Sequence, residues 1–190
     1  MPSKPHQPRR LIALGLAASL GMTAMPLPWT GPRADPPIPL ALTGELADAI
    51  QGLERLAGRP MPEFRKRIVI ISFFASWCAP CIDEFAYLGG VYNAYGGEDP
   101  AIVAINLHES WAGKIYAARL RRFIDRTKPL FTVVRGNDAI AEAFGGVREI
   151  PSLFVFGRDG RLAYRFLNNP ANAISEDTEA QLHAVLGKLL

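Results

Sequence analysis

The sequence predicts an α/β fold, a mixed central sheet flanked by helices, behind an N-terminal signal or anchor segment. Three observations carry this. The continuous run Ile68-Val69-Ile70-Ile71-Ser72-Phe73-Phe74 reads as a strand covered on both faces. Strand and helix patterns then alternate, and a hairpin closes the series. Ahead of them, a basic segment runs straight into an apolar one.

Residues 1–10, MPSKPHQPRR, are basic, and 11–25, LIALGLAASLGMTAM, are apolar and rich in small residues. That is the pattern of an export signal. No clean small-x-small cleavage site follows; Pro26 and Pro28 come instead. If retained, residues 11–29 approach the roughly 20 that span a bilayer, with the basic end cytoplasmic. Residues 1–29 are therefore read as a signal peptide or membrane anchor. Residues 30–43, opening on TGPRADPPIPLA, are read as a proline-rich tether, and 44–190 as the folded domain. The domain is expected in the periplasm or an equivalent extracytoplasmic space, held to the cytoplasmic membrane by this segment.

Thr43 caps an expected helix over about 45–57, where Leu46, Ala49, Ile50, Leu53 and Leu56 recur at helical spacing and Gly58 stops it. Pro60 and Pro62 mark extended chain. After the strand at 68–74, a helix runs from the cysteines to about Tyr95 and ends at Gly96-Gly97. AIVAINL at 101–107 reads as a strand, 112–127 as a helix before Pro129, LFTVV at 130–134 as a strand and 138–144 as a short helix. Ile150-Pro151 precedes a strand at 152–157. Arg158-Asp159-Gly160-Arg161 turns it into a paired strand at 161–166, and an amphipathic helix over 176–190 ends the series.

A chain of 190 residues, 49% hydrophobic and 21% charged, suits one globular domain plus an extension. The net charge of +3 is misleading. Lys4, Arg9, Arg10 and Arg33 face no acid within 1–34, so of 21 basic and 18 acidic residues, 17 and 18 remain in 35–190, net −1. Nucleic-acid binding loses its electrostatic basis. The cluster Arg119, Arg121, Arg122, Arg126 and Lys128 reads as a solvated helix face.

Both cysteines fall in Cys78-Ala79-Pro80-Cys81. A structural disulfide framework needs cysteines spread along the chain. A zinc site needs two more ligands, and His6, His108 and His183 are scattered. No metal or cofactor is expected beyond the cysteine pair itself. Cys-x-x-Cys at a helix start has a specific chemistry. Free N–H groups and the helix dipole favour a thiolate at the first cysteine. The thiolate attacks disulfides, and the second cysteine, one turn on, resolves the mixed disulfide. Pro80 suits the first turn, and Trp77 and Phe74 supply apolar surface.

Phe73-Phe74-Ala75-Ser76-Trp77-Cys78-Ala79-Pro80-Cys81 resembles the thioredoxin active-site stretch. Ile150-Pro151-Ser152, with Leu153-Phe154-Val155-Phe156 and the turn at 158–161, resembles the thioredoxin cis-proline and its hairpin. With the leader, the chain is similar to the TlpA/ResA/CcmG branch of membrane-linked thioredoxins. The resemblance implies a thioredoxin fold over about 64–190. It implies a cis bond at Pro151 and substrate contact along Trp77, Ala79, Pro80, Ile150 and Pro151, with the Ile150 backbone pairing to substrate as an added strand. Two departures stand out. Ser72 occupies the position of thioredoxin's buried Asp, and 45–57 reads as a helix where the branch has a short strand pair. In the branch a Glu follows the second cysteine by three residues; here that is Glu84, on the helix face of Cys81 and able to act in proton transfer. His108, past the strand at 101–107, borders the same end of the sheet and otherwise reads as an exposed loop histidine.

The leading function is thus reduction of disulfides in exported proteins, Cys78 attacking and Cys81 resolving. The resemblance extends this to the Cys-x-x-Cys-His segment of apocytochrome c and to a membrane thiol-reducing donor. Two alternatives stay open: a disulfide-inserting oxidase, and a Cu(I)-binding assembly factor using both thiolates. Ala-Pro between the cysteines is nearer thioredoxin's Gly-Pro, which favours reduction.

Overall fold

A computed structural model describes residues 38–39, 41–97, 99–111, 114–115, 117–168 and 176–190. The signal or anchor read at 1–29 and most of the tether lie outside the described residues. Among the described residues, no helix is long and apolar enough to cross a membrane.

The strands are β1 (Arg55–Ala57), β2 (Val69–Phe74), β3 (Ala101–Asn106), β4 (Ser110–Trp111), β5 (Lys114–Ile115), β6 (Thr132–Arg135), β7 (Ser152–Phe156) and β8 (Leu162–Leu167). The helices are α1 (Gly44–Gln51), α2 (Pro80–Ala94), α3 (Ala117–Thr127), α4 (Asp138–Ala143) and α5 (Glu176–Leu189). The main sheet runs β1-β6-β3-β2-β7-β8. β3 is parallel to β2 and to β6, whereas β7 is antiparallel to β2 and β8 to β7. This is the mixed, helix-flanked sheet expected. Every residue of β2, β3 and β7 is buried, which explains why their sequences show no alternation.

Successive strand residues point to opposite faces, so Phe73 and Phe74 anchor two different clusters. Phe73 meets Phe144 at 4.9 Å and Phe154 at 5.9 Å, both edge to face. Phe74 meets Phe85 of α2 at 4.7 Å and Phe123 of α3 at 5.1 Å. Such pairs add about 0.5–1.5 kcal/mol each beyond burial. β2 is thereby gripped from both sides, and the residues at its end inherit a rigid platform.

Two expectations need correction. The helix read over 45–57 ends at Gln51: the Gly52 N–H still reaches the Asp48 carbonyl at 2.9 Å, but the Leu53 N–H turns back only three residues, to the Ile50 carbonyl at 3.1 Å. Leu53 and Leu56 keep helical spacing by coincidence. Arg55 and Ala57 instead pair antiparallel with Val134 and Val133, completing the sheet edge as β1. Gly58 then comes so close that an added Cβ would sit 1.8 Å from the Phe131 carbonyl oxygen, at a φ of +72°. Only glycine fits there. The helix read over 112–127 begins only at Ala117. Ser110 and Trp111 pair with Ile115 and Lys114 in a small hairpin, in a stretch whose Gly113 is a poor helix former.

The end of the segment read as a tether is tied to the domain. Ala41 forms an antiparallel bridge with Arg161, and the Leu42 N–H donates to the Gly160 carbonyl at 2.7 Å.

Candidate active site

β2 and β3 end side by side, with the Leu107 N–H donating to the Phe74 carbonyl at 2.9 Å. β2 leads into a turn closed by the Cys78 N–H donating to Ala75 at 3.1 Å. α2 starts at Pro80, where a missing N–H costs little, with Ala79 as its cap. Cys78 and Cys81 are joined as a disulfide, their Cα atoms 5.4 Å apart. The two sulfurs are not equivalent. Cys78 keeps 5% of its surface open, and Cys81 none. An incoming sulfur meets Cys78 first, at the electropositive end of α2. Ala79 and Pro80 are exposed beside it.

Trp77 is 51% exposed, and its indole N–H donates to the His108 carbonyl at 2.9 Å. The His108 ring is exposed and its Nε2 donates to the Val147 carbonyl at 3.0 Å, so this residue touches both the Cys78 loop and the loop before Pro151. Phe74 was expected to add apolar surface here. It is instead fully buried, because β2 turns it into the α2–α3 cluster.

The Ile150–Pro151 peptide bond is cis. Phe73 pairs with Ser152, so Pro151 immediately precedes the part of β7 that lies against the end of β2. Asn168 Nδ2 donates to the Ile150 carbonyl at 3.0 Å, which leaves that oxygen a second lone pair.

Glu84 is 2% exposed, whereas neighbouring Asp83 lies open to solvent. Ser72 points from β2 to the α2 side, as Phe74 does, and its hydroxyl donates to Glu84 Oε2 at 2.9 Å. Where thioredoxin carries an acid on the strand, this chain carries a hydroxyl, and the acid arrives from the facing helix. Oε1 is buried without a hydrogen-bond partner. Beside Glu84 lies a cavity of about 20 Å³ bordered by Leu153, Phe166 and Leu182. Burial pushes the carboxyl up to about 8, and the Ser72 bond only partly offsets this. At neutral pH Glu84 is mainly protonated, with a pKa suited to exchanging protons with a thiol.

Sequence reasoning missed a second acid. Glu109 is 7% exposed and accepts from the Ser76 N–H at 2.5 Å, the Ser76 hydroxyl at 2.7 Å and Asn106 Nδ2 at 2.8 Å. Arg119 Nε donates to Ser76 Oγ at 2.9 Å, and its Nη2 lies 3.9 Å from Glu109. No local spacing signals this, since 33 residues separate Ser76 from Glu109.

A model of the AhpC/TSA family matches residues 57–165. The thiol–disulfide oxidoreductase ResA of Geobacillus thermodenitrificans is 27% identical over 156 residues, 81% of this chain and 82% of that protein. A secreted Mycobacterium tuberculosis disulfide oxidoreductase homologous to E. coli DsbE superposes with a TM-score of 0.57 at 20% identity, over 75% of this chain and 98% of that one. A thioredoxin-family thiol:disulfide interchange protein from Chlorobium tepidum superposes at 0.53 and 19% identity, over 66% and 81%. The fold is that of thioredoxin.

Proposed function

The chain belongs to the AhpC/TSA family, a thioredoxin-like thiol–disulfide oxidoreductase of ResA/CcmG type, and on that premise we propose that it reduces disulfides of exported proteins outside the cytoplasm. The carrying observation is the unequal burial of the Cys78–Cys81 disulfide at the head of α2.

In the forward cycle the Cys78 thiolate attacks a substrate disulfide. One substrate sulfur leaves as a thiolate and the other joins Cys78. Cys81 then loses its proton to Glu84 in its ionised form and attacks Cys78 Sγ. The second substrate thiol leaves, and the Cys78–Cys81 disulfide forms. A dithiol donor restores the reduced pair by the reverse exchange. Trp77, Ala79, Pro80 and the cis Ile150–Pro151 peptide form the cradle for the substrate chain. The Cys-x-x-Cys-His segment of an apocytochrome c is a fitting substrate, since a disulfide formed between its cysteines must be reduced before haem attachment.

Direction is tested by redox titration against glutathione or dithiothreitol. The potential is expected nearer thioredoxin's value of about −270 mV than DsbA's of about −120 mV. A potential at the oxidant end overturns the reductase reading in favour of disulfide insertion.

Location rests on the basic and apolar leader at 1–25 and on a tether held to the domain at Ala41. Protease added to spheroplasts should digest the domain while cytoplasmic markers survive. A protected domain that still carries residues 1–29 overturns the assignment.

A further inference from the structure

The three donors on Glu109 serve a loop rather than the hydrophobic core. Both carboxylate oxygens act only as acceptors, the pattern of an ionised group. Two of the donors belong to Ser76, two residues ahead of Cys78. Arg119 closes the group by donating to the same serine oxygen. Asn106 ties it to the end of β3, its Nδ2 also lying 3.5 Å from the Phe74 carbonyl. Hydrogen bonds to a charged acceptor are roughly twice as strong as neutral ones. The network therefore sets where the Ser76–Cys78 turn sits. It also fixes a negative and a positive group on Ser76, two residues before the sulfur that must ionise.

We propose that Glu109 is a positioning residue that holds the Ser76–Cys78 loop and, through its charge balanced by Arg119, sets how readily Cys78 ionises. The proposal rests on Cys78–Cys81 being the working couple. An anion nearby disfavours a second anion, and a donor on that anion weakens the effect. Glu109→Gln keeps the shape, removes the charge and leaves Arg119 in place, which favours the Cys78 thiolate. Ser76→Ala keeps the charge but strips one of its donors, which disfavours the thiolate. The two substitutions act in opposite directions, and simple loosening of the loop does not do that.

The test uses purified reduced protein. The rate of Cys78 alkylation by iodoacetamide is followed against pH, and the potential is titrated with dithiothreitol. Glu109→Gln should move the alkylation midpoint to lower pH. It should also favour the reduced form about tenfold, near 30 mV for a two-electron couple. Ser76→Ala should move the midpoint to higher pH. Asp125→Asn, an exposed acid on α3, controls for net charge and should leave both unchanged. Midpoints that both stay put, or both move the same way, overturn the role given to Glu109. A wild-type disulfide that dithiothreitol cannot reduce overturns the functional reading itself.

Discussion

Cys81→Ser is expected to accumulate a stable mixed disulfide through Cys78, while Cys78→Ser captures nothing and both lose turnover. The difference follows from burial. Cys78 keeps a small opening to solvent and Cys81 none, so only the first sulfur meets a bulky partner. The head of α2 adds to this, since its unpaired N–H groups stabilise an anion at Cys78 and not one a turn further on. With Cys81 replaced, no internal thiolate expels the bound substrate, and the intermediate persists. Incubation of each reduced variant with a disulfide-bonded protein, followed by non-reducing electrophoresis, reads the outcome. Capture by the Cys78→Ser protein would reverse the two roles.

Glu84→Gln should slow resolution of that mixed disulfide by about 10²–10⁴-fold, the usual contribution of a general base. A thiol of ordinary pKa is mostly protonated at neutral pH, and Cys81 must give up its proton to attack. Glu84 accepts it only once ionised, so the wild-type rate should rise with pH through about 8, where its carboxyl titrates. The variant should lose that inflection. Asp83→Asn, exposed one position away, should behave as wild type. Stability supplies an independent readout. Unfolded, the Glu84 carboxyl ionises near 4.5, and folded near 8. Between those values the native state holds a proton that the unfolded chain has released. The contribution of this carboxyl to stability is therefore fully present below pH 4.5 and is lost as pH rises to 8, on the order of 5 kcal/mol for a shift of this size. Urea unfolding of the oxidised protein at pH 5 and pH 8 measures the slope. Glu84→Gln should flatten it. A variant that keeps both slope and rate leaves Glu84 as a packing residue.

The parts of the fold that were legible in the sequence are those whose burial is uniform. β2, β3 and β7 are covered on both faces and read as unbroken apolar runs, so their assignment needed no tertiary knowledge. β1 was hidden because a three-residue edge strand has too little pattern of its own. Leu53 before it and Leu56 within it also fell at helical spacing. Glu84 was legible by its offset from Cys81, but its partner was not. Ser72 registered only as a missing acid until the facing helix supplied one. Glu109 was illegible for a stricter reason. Its meaning lies in a loop brought to it by the parallel pairing of β2 and β3, and no local rule encodes a contact made by strand order.

The bridge between Ala41 and Arg161 has a practical consequence. It sits at the turn after β7, and β7 runs antiparallel to β2, so the incoming chain joins the sheet at the end opposite the disulfide. A strand of six residues separates the two ends by roughly 20 Å. Coupling the protein to a bead or electrode through its N-terminal side therefore leaves the sulfurs facing outward, whereas a label attached at α2 would shade them. Immobilised in that sense, the molecule serves as a solid-phase reagent whose reactive end is unobstructed.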